Sequence, residues 1–187
     1  MKTNIIFIYS RGGGGLCQDT RRQKKIPEEE SALELEITRV FDATRSVVFK
    51  AWTEPERLKG WRGPKGFTLP FCKVDLRPGG ICHYCMRSPE GRDYWGKGVY
   101  REIVAPERLV LTDVFSDEKG NTIKPAEYGM SPDWPEETLI TVEFDEHDGK
   151  TKLTLRQSVL ESIAERTGAR QGWIESLDRL AGYLSRK

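Results

Sequence analysis

The sequence predicts an α+β fold in which a curved antiparallel sheet carries one long helix across its face. The first observation lies near the C-terminal end, where Trp173, Leu177, Leu180 and Leu184 recur at the i, i+4, i+7, i+11 spacing of one helical face. Ile174 and Ala181 widen that stripe, and Glu175, Asp178 and Arg179 oppose it. Such a face has to be buried. The second observation is that the middle of the chain reads as strand after strand with no other long helix, so a sheet is the surface that receives the stripe. The core beneath the helix is then either solid or hollow, and the two have different functions.

At 187 residues the chain is long enough for one domain with a sizeable core. Thirty Lys and Arg against 29 Asp and Glu give a net charge of +1, which removes any electrostatic case for nucleic acid or an anionic membrane as partner. Four cysteines, Cys17, Cys72, Cys82 and Cys85, are too few and too uneven for a secreted disulfide scaffold and fit a reduced, cytoplasmic setting. The apolar run Ile5 to Tyr9 is shorter than the apolar region of a signal peptide and stops at Ser10-Arg11, and Cys17 follows Leu16 rather than a small residue. Gly12 to Gly15 lacks the Gly-Lys-Ser/Thr ending of a phosphate loop. The polar, glycine-rich residues 1–30 read as a leader outside the domain, and residues 31–187 as the domain.

Leu33 to Phe41 alternates apolar and polar with period two, as a half-buried strand does. Thr44 is placed to cap a short helix with Val47, Val48, Ala51 and Trp52 inward, and Glu54-Pro55 opens a second short helix through Leu58 and Trp61. Phe67 to Leu76 and Ile81 to Arg87 form a hairpin about Arg77-Pro78-Gly79-Gly80; a four-residue turn places Cys72 opposite Cys85 and Asp75 opposite Cys82. Tyr94 to Val104 is a longer strand, whose Gly96 and Gly98 let something pack closely on it. Leu109 to Phe115 is the next strand. An irregular stretch follows, punctuated by Pro125, Pro132 and Pro135 and carrying Tyr128, Met130 and Trp134, and a loop of that length usually has a function. Thr138 to Phe144 and Thr151 to Gln157 form the last hairpin, closed at Asp148-Gly149.

This order, with Phe49-Lys50-Ala51-Trp52-Thr53-Glu54-Pro55-Glu56, Trp61-Arg62-Gly63-Pro64-Lys65-Gly66-Phe67, Asp75-Leu76-Arg77-Pro78-Gly79-Gly80, Gly98-Val99-Tyr100-Arg101-Glu102-Ile103, Pro106-Glu107-Arg108-Leu109 and Gly172-Trp173, closely resembles the stand-alone bacterial homologues of the activator of the heat-shock-protein-90 ATPase. These belong to the helix-grip, or START-like, superfamily. The resemblance covers residues 32–187, and it departs from the family at one place: two tryptophans often precede the Gly-Pro there, whereas this chain has Trp61 then Arg62. It implies a seven-stranded antiparallel sheet curled around the terminal helix, a cavity between them, and the two short helices at one end.

Strand parity puts Cys82, Tyr84 and Met86 on one face of their strand and His83 and Cys85 on the other, so Cys82-His83-Tyr84-Cys85 is neither a metal nor a redox motif. The resemblance turns the aromatic face inward and His83 outward; His147 falls in the turn. The expected cavity wall is Tyr84, Met86, Tyr100, Asp113, Phe115, Val142 and Leu155, facing Trp173 and Leu177 on the helix. Asp113 and Glu102 share the parity of Phe115 and Tyr100, and a carboxyl buried there would have a raised pKa. The expected protein is a carrier or sensor of a hydrophobic small molecule, without catalysis, cofactor or metal, as a monomer or homodimer. The alternatives are a cyclase or hydrolase acting on an aromatic or polyketide-like ligand, with Asp113, Glu102 or Tyr100 as acid or base, and a chaperone-binding stress protein working through its outer surface.

Overall fold

The computed structural model describes residues 34–186; the segment read as a leader, with Cys17 and the glycine run, lies outside them. Alternation along Glu34–Phe41 (β1) buries Leu35, Ile37 and Phe41 while Glu36, Thr38 and Val40 are exposed. The helix Arg45–Thr53 (α1) buries Val48, Phe49, Ala51 and Trp52, and leaves Val47 37 % exposed. Thr44 occupies the cap position, but its hydroxyl makes no capping bond; its carbonyl receives the N–H groups of Val47 and Val48. Pro55 opens the short helix Pro55–Leu58 (α2), where its missing N–H costs nothing.

The remaining strands are Thr68–Val74 (β2), Ile81–Arg87 (β3), Asp93–Val104 (β4), Arg108–Ser116 (β5), Thr138–His147 (β6) and Lys150–Leu160 (β7). They form a seven-stranded, curved antiparallel sheet in the order β1-β7-β6-β5-β4-β3-β2. Asp148 and Gly149 both adopt positive φ between β6 and β7, the conformation a two-residue hairpin turn requires. His147 beside this turn is largely exposed.

Two expectations about register are corrected. Cys72 pairs with Tyr84 and Val74 with Cys82, while Phe71 stands opposite Cys85. The turn holds five residues rather than four: Asp75 N–H already bonds to the Ile81 carbonyl, and Gly79 and Gly80 are stitched to Tyr100 on β4. Cys72 therefore shares its face with Cys82, not with Cys85. The second correction concerns Glu102. A bulge between Tyr100 and Glu102 inserts a residue against β5, so parity reverses and Glu102 points outward to pair with Arg108.

The chain enters the gripped helix through a break. Glu161–Thr167 (α3) ends at Gly168, whose φ of 77° is the left-handed cap conformation, and Ala169–Leu184 (α4) starts there. The face of α4 that packs on the sheet carries Ser176, Leu177, Leu180 and Leu184, with Trp173 and Ile174 partly buried; Ala181 is exposed. Trp52, Trp61 and Phe144 close the core at the α1 end.

Candidate functional site

The core under α4 is filled at one end and hollow at the other. A half-open cavity of ≈ 130 Å³ lies between α4, the inner face of the sheet, the 62–67 turn and the 125–137 loop. Of the residues expected in its wall, Tyr84, Met86, Asp113, Phe115 and Trp173 line it. Tyr100 lines a smaller void behind it, with Cys72, Cys82 and Leu109. Val142, Leu155 and Leu177 belong to the solid core and are fully buried there rather than lining the cavity.

Five further contributors carry the site. Arg62 and Phe67 come from the turn after α2, Met130 and Trp134 from the proline-rich loop, and Gln157 from β7. Tyr128 anchors that loop: its hydroxyl donates to the Ser116 carbonyl and receives the Trp95 N–H, both at 3.0 Å, while its ring contacts Phe115. Gln157 lies two positions beyond Leu155 on the same face of β7, so strand parity already pointed it inward. Met130 and Trp134 are large apolar side chains in an irregular loop, which is itself a sign of burial against something.

Tyr84 is the central polar group. Its hydroxyl donates to Asp113 Oδ1 at 2.8 Å, and its ring passes over Gly96 on β4, where a Cβ would stand 2.5 Å from the phenol carbon and oxygen. The missing side chain at Gly96 thus lets a tyrosine on β3 reach an aspartate on β5 across the intervening strand. Burial, then the Asp113 charge, pushes the Tyr84 phenol well above its ordinary value. Burial likewise raises the Asp113 carboxyl, with Arg62 and the Tyr84 hydrogen bond pulling it part of the way back.

Arg62 stands over two rings, its guanidinium carbon 4.8 Å from the centroid of Tyr84 and 5.4 Å from that of Trp173. Burial works against its charge, but Tyr84 and Asp113 outweigh that and hold the guanidinium protonated. Trp173 in turn stacks on Trp52 at 6.0 Å, and its Nε1 donates to the Gln157 side-chain oxygen at 2.9 Å. The wall is therefore largely apolar and aromatic, with a small polar group, Arg62, Tyr84, Asp113 and Gln157, converging in it.

Two of the thiols lie behind that group, in the smaller void that Arg62 and Tyr84 also line. Cys72 bonds to the Cys82 sulfur, which this bond and the nearby Arg62 charge hold low, while the same bond and burial raise Cys72. Cys85 faces the other side of the sheet with His83, whose ring packs between Phe71 and Trp95. Among the described residues no three His, Cys, Asp or Glu cluster as a metal site, and no helix is long and apolar enough to cross a membrane.

A family model described as "Activator of Hsp90 ATPase homolog 1-like protein" matches residues 42–185. The chain belongs to this family. Solved structures of similar proteins share the architecture. A protein of Nitrosomonas europaea is 25% identical with a TM-score of 0.68, covering 83% of this chain and 96% of its own. An Arthrobacter aurescens protein is 24% identical with a TM-score of 0.71, covering 88% and 92%. The AHSA1 protein of Silicibacter pomeroyi is 22% identical with a TM-score of 0.64, covering 82% and 98%. No curated protein matches the chain. The AHSA1-like fold is compatible with ligand binding and with roles like that of the chaperone activator.

Proposed function

We propose that this protein binds a small, largely apolar molecule in the cavity between α4 and the sheet, as a carrier or sensor. The supporting observation is the hollow itself: ≈ 130 Å³ walled by Trp173, Phe115, Met130, Trp134, Phe67 and Met86. An engineered protein cavity of about 150 Å³ holds benzene, so this space suits a single ring. A closed core would have been filled, since interiors pack to crystal density and each void forfeits contacts. Trp173 makes the test direct. Titration with single-ring aromatics, followed by tryptophan fluorescence and melting temperature, is expected to change both, because a molecule that binds only the folded state stabilises it. Native mass spectrometry of freshly purified protein is expected to find a co-purifying small molecule. If no ring compound moves either signal and Trp173→Ala simply unfolds the domain, the reading fails and the outer surface becomes the functional face.

One observation favours a second reading, acid–base catalysis: Asp113 is inside the cavity with a raised pKa and a phenol hydrogen-bonded to it. Recovery of a bound compound chemically changed by the wild type but unchanged by Asp113→Asn would establish that reading.

A further inference from the structure

We propose that Arg62 sets the specificity of the cavity and that its occupant is a single-ring aromatic carboxylate, the carboxylate lying on the guanidinium and the ring against Trp173, Phe115 and Met130. This rests on the binding reading above and goes beyond it by naming the ligand class. The backbone around Arg62 is fixed on both sides. Trp61 is fully buried, with its Nε1 donating to the Ala51 carbonyl at 2.9 Å, and Arg179 of α4 holds the carbonyls of Gly63, Pro64 and Phe67, each at 2.9 Å. Arg62 is thereby committed to the cavity wall, with its charge over the Tyr84 and Trp173 rings.

That cation keeps an open donor. The buried Nε of Arg62 has no hydrogen-bond partner, and among the described residues Arg62 makes no ion pair. Asp113 supplies opposite charge nearby, while its Oδ1 accepts the Tyr84 hydroxyl and the Arg62 Nε–H stays unmet. A buried donor is ordinarily hydrogen-bonded, and one that points into a cavity is met by what binds there. The group that completes this site is an anion. A planar carboxylate fits the planar fork of a guanidinium, and it adds one charge only. A phosphate would bring a second negative charge beside Asp113 without a second cation to meet it. Burial inclines Asp113 toward its neutral form, which lowers the repulsion that a bound carboxylate would meet. The space that remains beyond the guanidinium is apolar and of one-ring size.

The experiment compares sodium benzoate, benzamide and toluene, three probes of similar shape, by tryptophan fluorescence and by the Nε–Hε resonance of Arg62 at constant ionic strength and pH 7. A charge-assisted bond predicts that benzoate binds the wild type about ten- to a hundredfold tighter than benzamide and shifts the Arg62 resonance. In Arg62→Gln the benzoate preference should vanish while toluene binding persists. Equal binding of benzoate and benzamide by the wild type overturns the proposal and, if toluene binds, leaves the cavity reading standing. A preference for benzoate that survives in Arg62→Gln overturns it too. If none of the three binds at millimolar concentration, both readings fail. The wild-type comparison needs no variant, and Arg62→Lys, which keeps charge but not the fork, should keep only part of the preference.

Discussion

Trp173 Nε1 donates to the side-chain oxygen of Gln157 at 2.9 Å, and the Gln157 amide in turn donates to Thr138 Oγ1 at 3.0 Å. The gripped helix is thus fastened to β7 and β6 by a buried polar chain at the edge of the hollow. Gln157→Leu leaves the indole N–H without its acceptor, and an unsatisfied buried donor costs about 1–3 kcal/mol. Urea unfolding should show that loss, with a shift in tryptophan emission. An unchanged midpoint would mean that a water takes the place of the amide.

Gly96→Ala should displace the Tyr84 ring from its path to Asp113, since the added Cβ would sit 2.5 Å from the phenol oxygen. Overpacking of this kind costs about 1–3 kcal/mol. The discriminating measurement is recovery in the double variant Gly96→Ala/Tyr84→Ala, which removes the clashing ring; if the two losses simply add, the contact is not the cause.

Two carboxyls give stability opposite slopes with pH. Glu143 lies between Arg156 and Arg108, which hold its carboxyl below the ordinary glutamate value near 4.5. Its contribution is present above the unfolded pKa and is lost as pH falls through the folded one. Being partly exposed, the group is worth about 1 kcal/mol at most. Asp113 has the reverse sign: burial raises its pKa, so folding is favoured while it is protonated and weakens as pH rises through its folded value. Glu143→Gln should therefore destabilise at pH 7 and match the wild type in acid. Asp113→Asn should remove the decline on the rising side, measured by denaturant midpoints from pH 3 to 8.

Burial, and then Asp93, pushes the Cys85 thiol up to about 11. In the native protein at pH 8 iodoacetamide should leave Cys85 unmodified, as peptide mapping would show, and reaction should require unfolding. Ready alkylation of Cys85 at that pH would mean that its fully buried side chain is uncovered by local opening.

Much of this architecture can be read from residue periodicity. The alternation of β1, the i, i+4, i+7, i+11 stripe of α4 and the Asp148-Gly149 turn each have one solution, and together they place sheet and helix against one another. Errors arose where a single residue changes the phase. The bulge after Tyr100 turned Glu102 outward, and one extra residue in the β2–β3 turn moved Cys72 from Cys85 to Cys82. Period two carries no information about an insertion until the partner strand is known. The break at Gly168 was hidden for a similar reason, because the stripe begins only at Trp173 and says nothing of the helix ahead of it. In the site, parity grouped Tyr84, Met86, Asp113 and Phe115 by face, the family resemblance chose that face as the inner one, and helical spacing pointed to Trp173. Arg62, Met130 and Trp134 come from irregular backbone, where no period exists to aim a side chain; their position depends on contacts made from far along the chain.

Those contacts bear on how the cavity exchanges its contents. Arg179 reaches across from α4 to three carbonyls of the 63–67 turn, so swinging that turn outward would strip a cation of three acceptors at once. The opposite rim, which contributes Met130 and Trp134 to the wall, is held differently, by the Tyr128 hydroxyl to β4 and β5 and by the exposed ion pair of Asp133 with Arg166. One side of the mouth behaves as a fixed jamb and the other as the leaf of a door. Residence time in such a chamber is governed by the leaf, and a substitution that loosens the loop without touching the wall, such as Asp133→Ala, which cuts the ion pair to Arg166, should alter association and dissociation rates together while leaving equilibrium affinity nearly constant.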